Sequence, residues 1–141
     1  MLGHDVDYYR AAEDKKLVEI AKSEKRILLT RDLKLYQQAV SKGLEAFFVE
    51  ATDEAKKLAA IAKRFKFKLK IDLSASHCPK CNGTVVAVSK EVVIDQLPEA
   101  TSTYYNNFWK CPICGQLYWQ GAHWKRIQMT LEKANSRLCL L

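Results

Sequence analysis

Two short stretches carry the clearest chemistry in this chain: "CPKCNG", with Cys78 and Cys81, and "CPICGQ", with Cys111 and Cys114. A CxxC hook is a tight turn that presents two thiolates and aims nearby backbone N–H groups at the sulfurs. Two hooks close a tetrahedron around Zn²⁺. Gly83 and Gly115, just past the hooks, suit the left-handed backbone such turns need. Structural zinc on all four cysteines is the expectation. An iron centre with the same ligands is the competitor, and a redox role is disfavoured because the hooks lack the βα context of thioredoxin-like motifs. Four thiolates leave zinc no position for a water, so this metal is expected to hold structure and not to catalyse.

Aromatic residues crowd the second hook: Phe108, Trp109, Tyr118, Trp119 and Trp124. Such a cluster is the miniature core of a ribbon, or, beside Lys110, Lys125 and Arg126, a platform on which bases stack. His77 and His123 are read as polar neighbours and not as ligands, since four cysteines already complete the set.

The elements that position these groups follow from periodicity. "HDVDYY" reads as a short strand, and "AEDKKLVEIAKSEK" as a helix with Leu17, Ile20 and Ala21 on one side. "RILLT" has the look of a buried parallel strand, with Asp32 just past its end. "LKLYQQAVSKG" is a helix closed by Gly43, "EAFFVE" another strand, and "DEAKKLAAIAKRF" a helix started by Asp53. Strand and helix alternating at this spacing imply an α/β fold with a parallel sheet, whose ligands gather beyond the carboxyl ends of its strands. "KFKLKIDL" alternates apolar and charged residues, the period of a strand with one wet face. A unit boundary near Ser74 divides an α/β domain, 1–73, from a zinc-ribbon module, 74–141, in which "TVVAVS" and "QLYWQ" each lie beside a hook and the charged, Pro-containing segment between them shows no helical period.

Composition sets the outer limits. The chain has 141 residues, 48% apolar and 28% charged, and no apolar run near the ~18 residues that cross a bilayer, so it is expected to be globular with no membrane partner. "MLGHDVDYYR" lacks the features of a secretory signal, which points to a reducing, cytoplasmic setting. There, paired cysteines favour a metal over disulfides, and the fifth, Cys139, reads as a plain buried or tail thiol. The net charge is +7. Between residues 56 and 70 lie seven basic residues, Lys56, Lys57, Lys63, Arg64, Lys66, Lys68 and Lys70, and no acidic one. They form either a solvated face or a surface that tracks phosphates.

Taken together, "MLGHDVDYY", "ILLTRD" and "HCPKCNG…VSKE…LPE…FWKCPICGQLYWQGAHW" resemble the Mut-seven C-terminal RNase domain family, a PIN-like nuclease fold with a zinc ribbon at its C-terminal end. The resemblance spans nearly the whole chain and is most specific around the second hook. It implies a metal-dependent ribonuclease in which carboxylates at strand ends hold Mg²⁺ or Mn²⁺, ions that activate water and neutralise charge on the scissile phosphate. On this resemblance Asp32 matches the acid of "TRD", and Asp14, with Glu13 beside it, the acid opening the preceding helix. Without it, Asp14 reads as a helix-start acid and Asp32 as a cap.

The family pattern also implies a preceding strand with an early aspartate and a basic helix, and this chain begins at the equivalent of the second strand. The first metal-binding carboxylate is therefore expected to be missing and catalysis impaired. Either the start lies at an internal Met of a longer protein, or the chain is a degenerate relative. The rival function is a non-catalytic RNA-binding or ribosome-associated protein, with RNA, the ribosome or another ribonucleoprotein as partner. A weaker option is a protein–protein adaptor.

Overall fold

The computed structural model describes residues 1–140 and shows an α/β arrangement of helices around two small sheets. Helix α1 (Asp14–Ser23) buries Val18 and Ala21, and strand β1 (Leu28–Thr30) follows it. Helix α2 (Leu33–Ser41) buries Leu35 and Ala39 on the side facing Val18. It ends as expected: Gly43 takes φ +75, a left-handed backbone that costs glycine nothing. Strand β2 (Ala46–Phe48) pairs parallel to β1, with Leu28 opposite Ala46 and Thr30 opposite Phe48. Helix α3 (Glu54–Phe65) is capped by Asp53, whose carboxylate accepts from the Lys56 N–H at 3.0 Å.

Two expected strands do not form. Among the described residues the parallel sheet has two strands, β1 and β2, and not the broader sheet a PIN-like domain implies. "HDVDYY" runs without a strand partner because its polar groups are engaged elsewhere. The Val6 N–H goes to Asn82 Oδ1 at 3.1 Å, and Asp5 and Asp7 both pair with Arg26 at 3.0 Å. Tyr8 is 83% exposed, so no burial pulls the segment into a sheet.

"KFKLKIDL" keeps its alternation of burial but begins at Lys66, the left-handed cap of α3, and runs without strand pairing to a 3-10 turn at Leu73–Ala75. Leu69 is buried and Phe67 and Ile71 half-buried, while Lys66, Lys68 and Lys70 are exposed. The apolar side chains reach a helix instead of a sheet, so their burial needs no ladder. That helix, α6 (Ala122–Leu140), lies outside the expectation for the region after Ser74. It sets Leu131 and Ala134 against Ala55 and Ala62 of α3 and Leu69, and Asn135 Nδ2 donates to the Leu69 carbonyl at 3.0 Å. The largest core therefore joins residues from both sides of Ser74.

Strands β3 (Val86–Val88), β4 (Phe108–Lys110) and β5 (Leu117–Tyr118) make an antiparallel sheet in that order. The segment between β3 and β4, expected to lack helix, contains two short ones, α4 (Lys90–Val93) and α5 (Glu99–Tyr104). Among the described residues no helix is long and apolar enough to cross a membrane.

Candidate metal centre and nucleic-acid surface

The first hook folds because its backbone closes on itself. The Asn82 N–H donates to the Cys78 carbonyl and the Cys78 N–H to the Gly83 carbonyl, each at 2.7 Å. In the second hook the Gly115 N–H donates to the Cys111 carbonyl at 2.8 Å and the Cys111 N–H to the Gln116 carbonyl at 2.9 Å. The residue just past each hook is left-handed: Gly115 at φ +75, as expected, but Asn82 at φ 64 in place of Gly83. Asparagine tolerates that region, which frees Gly83 for a different role. A Cβ there would sit 2.7 Å from Ile113 Cδ1 and 3.1 Å from Cys111 Sγ, so Gly83 lets the hooks approach.

The four thiol sulfurs converge. Cys78 and Cys114 are 3.6 Å apart and Cys81 and Cys111 3.3 Å, and all four sulfurs lie within 4.8 Å of one another. Sulfurs ~2.3 Å from a tetrahedral Zn²⁺ are about 3.8 Å apart, so the quartet fits an ion of that size. Cys78 and Cys111 are buried, Cys81 and Cys114 exposed. Among the described residues this is the one group of three or more candidate ligands, and neither histidine belongs to it. His77 Nδ1 faces the Asn82 carbonyl at 2.9 Å, and His123 lines a cavity with Trp119 and Trp124.

The electrostatics of the quartet favour a cation. Burial works against ionising Cys78, but the Tyr118 hydroxyl and the N–H groups of Lys80 and Cys81 outweigh it and bring the thiol down to about 6. Cys111 is also lowered, chiefly by the Cys114 N–H. Cys81 is pushed up to about 12: the Gly83 N–H favours its thiolate, yet the sulfurs around it, Cys111 foremost, and the partial loss of water at its own sulfur prevail. Like charges this close do not all ionise alone, and a divalent ion relieves the crowding. Tyr118 is raised in turn, by burial and by its bond to Cys78.

The hook also ties down the start of the chain. Asn82 accepts from Val6 and donates to Asp5, and Arg26 holds Asp5, Asp7 and Glu24. The Asp5 carboxyl is lowered by the Asn82 amide first and Arg26 second, and the Arg26 guanidinium is raised by Glu24 and Asp5. Fully buried Ser76 donates to the Met1 carbonyl at 2.8 Å, and Gly3, at φ +78, sits where a Cβ would meet the Ala75 carbonyl oxygen at 2.9 Å. Sequence reading missed this clamp. Its signal was the Asn–Gly directly after a hook, a pair suited to a left-handed turn.

The carboxylates of the resemblance are exposed and sit at helix starts. Asp32 caps α2: its Oδ1 accepts from the Lys34 N–H at 2.8 Å and the Leu35 N–H at 3.2 Å. Asp14 is the first residue of α1.

The basic residues divide. Lys66, the left-handed cap of α3, and Lys68 and Lys70 beyond it are exposed, and Lys56 edges an open groove of about 560 Å³ beside Phe47 and Phe48. Lys63 and Arg64 lie in the last turn of α3, where Arg64 pairs with Glu45 at 3.7 Å, and Lys57 is half-buried. In the ribbon Lys110 is half-buried on β4, while Lys125 and Arg126 are exposed in the first turns of α6. Trp119 and Trp124 are half-buried and share a cavity of about 60 Å³ with Trp109 and Tyr118.

The family model described as the Mut7-C RNAse domain matches residues 1–131, which takes in the acids at the helix starts, the lysine segment and both cysteine hooks. No curated protein and no solved structure matches the chain significantly. With that family model spanning nearly its whole length, the chain belongs to the Mut7-C RNAse domain family.

Proposed function

We propose that this chain is a metal-dependent ribonuclease-family protein of PIN-like descent, working in the cytoplasm on RNA, free or within a ribonucleoprotein. The match to an RNase domain over residues 1–131 carries this reading. In it, Cys78, Cys81, Cys111 and Cys114 hold Zn²⁺ for structure, while Asp14 and Asp32 are ligands for Mg²⁺ or Mn²⁺. Such an ion, when bound, activates water and neutralises charge on the scissile phosphate.

Asp32 directly follows β1, at the carboxyl end where ligands of a parallel sheet gather, and Asp14 opens the helix that precedes that strand. The bonds to Asp32 also fit: Oδ1 takes both capping N–H groups, which leaves the Oδ2 lone pairs for an ion. Lys66, Lys68 and Lys70 would hold the RNA backbone, aided by Lys56, Lys57, Lys63 and Arg64. Lys110, Lys125 and Arg126, with Trp119 and Trp124, form its second contact.

One observation favours the rival, a non-catalytic RNA-binding or ribosome-associated protein: the Asp32 carboxylate already has a structural task as a cap. Cleavage of single-stranded RNA with and without Mg²⁺ separates the two. The ribonuclease reading expects weak, Mg²⁺-dependent cleavage that Asp32→Asn abolishes. Binding without any cleavage decides for the rival.

A further inference from the structure

One side-chain hydroxyl in the ribbon faces a thiol. Tyr118 Oη lies 2.9 Å from Cys78 Sγ. Tyr118 sits on β5 opposite Trp109 of β4, and that pairing fixes the ring beside the first hook. Cys78 is 1% exposed, so no solvent competes for its sulfur. The other bonds to the quartet's sulfurs come from hook backbone or neighbouring thiols: Lys80 and Cys81 N–H to Cys78, Gly83 N–H to Cys81, and Ile113 and Cys114 N–H to Cys111. The hydroxyl is a contribution that a hook by itself does not make.

A metal-bound thiolate carries no proton, so in the loaded centre Tyr118 must be the donor and Cys78 the acceptor. A hydrogen bond to an ionised acceptor is strong, and it draws charge from the sulfur that would otherwise be available to electrophiles.

We propose that Tyr118 is a positioning residue of the metal centre, donating its hydroxyl proton to the Cys78 thiolate and shielding that sulfur from electrophilic attack that would strip the metal. This rests on the quartet being a metal centre. The two ideas fail differently: a full chain that shows no thiolate-to-metal charge-transfer band with Co²⁺ sinks the centre itself.

The test compares the Co²⁺-loaded full chain with Tyr118→Phe, which keeps the ring and removes only the hydroxyl. Both are expected to bind one Co²⁺. The charge-transfer band of the variant should move to lower energy, because its sulfur is richer in electrons. Zn²⁺ release driven by N-ethylmaleimide should be several-fold faster in the variant. Tyr105→Phe, which removes a ribbon hydroxyl from near Gly121, should change neither. An unmoved band overturns the proposal even if release quickens, since looser packing alone speeds release. A second measurement needs no variant. Mass mapping of maleimide-treated, Zn²⁺-loaded protein should find Cys111 modified before Cys78, although both are buried. The reverse order overturns the proposal.

Discussion

At the scale of single residues, Asp32 has two roles that different substitutions can separate. Asp32→Ala removes the acceptor for two N–H groups at the start of α2 and should cost about 1 kcal/mol in thermal or denaturant unfolding. Asp32→Asn keeps a good cap and should leave stability nearly unchanged, so an activity lost in it reports on ion binding and not on folding. Asn82 allows a similar separation. Asn82→Gly keeps the left-handed backbone but removes the link to Val6 and Asp5, while Asn82→Ala adds strain at φ 64. Both should speed hydrogen exchange at the Val6 amide, and only the alanine variant should also weaken metal binding. The Asp5 carboxyl is lowered in the folded protein, so its contribution to stability is complete above the ordinary carboxylate pKa and is lost as pH falls through the folded value. Val6 exchange, corrected for the intrinsic pH dependence, should therefore rise below pH ~4 and not between pH 5 and 7.

At the scale of elements, the interface between α3 and α6 should carry much of the stability. Leu131 is 5% exposed among Ala55, Ala62 and Leu69, and Leu131→Ala should cost ~2–5 kcal/mol, seen as a lower urea midpoint with an unchanged slope. Helices α1 to α3 were legible in the sequence because their apolar spacing, Asp53 and Gly43 agree with one another. Helix α6 was not expected, although Ile127, Leu131, Ala134 and Leu138 recur at helical spacing along the side that meets α3. The "KFKLKIDL" segment shows what periodicity leaves open. Alternation revealed that Leu69 points inward but not what it meets, because a helix can cover an extended segment as a strand can. The hooks were readable because metal geometry confines thiolates to few spacings. The Tyr118 bond was not, since it depends on the register of β4 and β5.

At the scale of the whole molecule, the ribbon and the chain start are one mechanical unit joined through Asn82, Asp5 and Arg26. Removing the metal with a chelator should loosen residues 1–7 along with both hooks, while amides in α3 and α6 stay protected. Uniform loss of protection would contradict this. The net charge of +7 and the lysines of "KFKLKIDL" bear on the central claim, that this RNase-family chain engages RNA. The measurement that tests it most directly is the salt dependence of binding to single-stranded RNA, for the unaltered chain and for a variant with Lys66, Lys68 and Lys70 replaced by Gln. Binding should weaken steeply with salt, and the variant's slope of log affinity against log salt should be shallower by about 2. Absent or salt-independent binding, or a slope the three substitutions leave unchanged, would contradict the account.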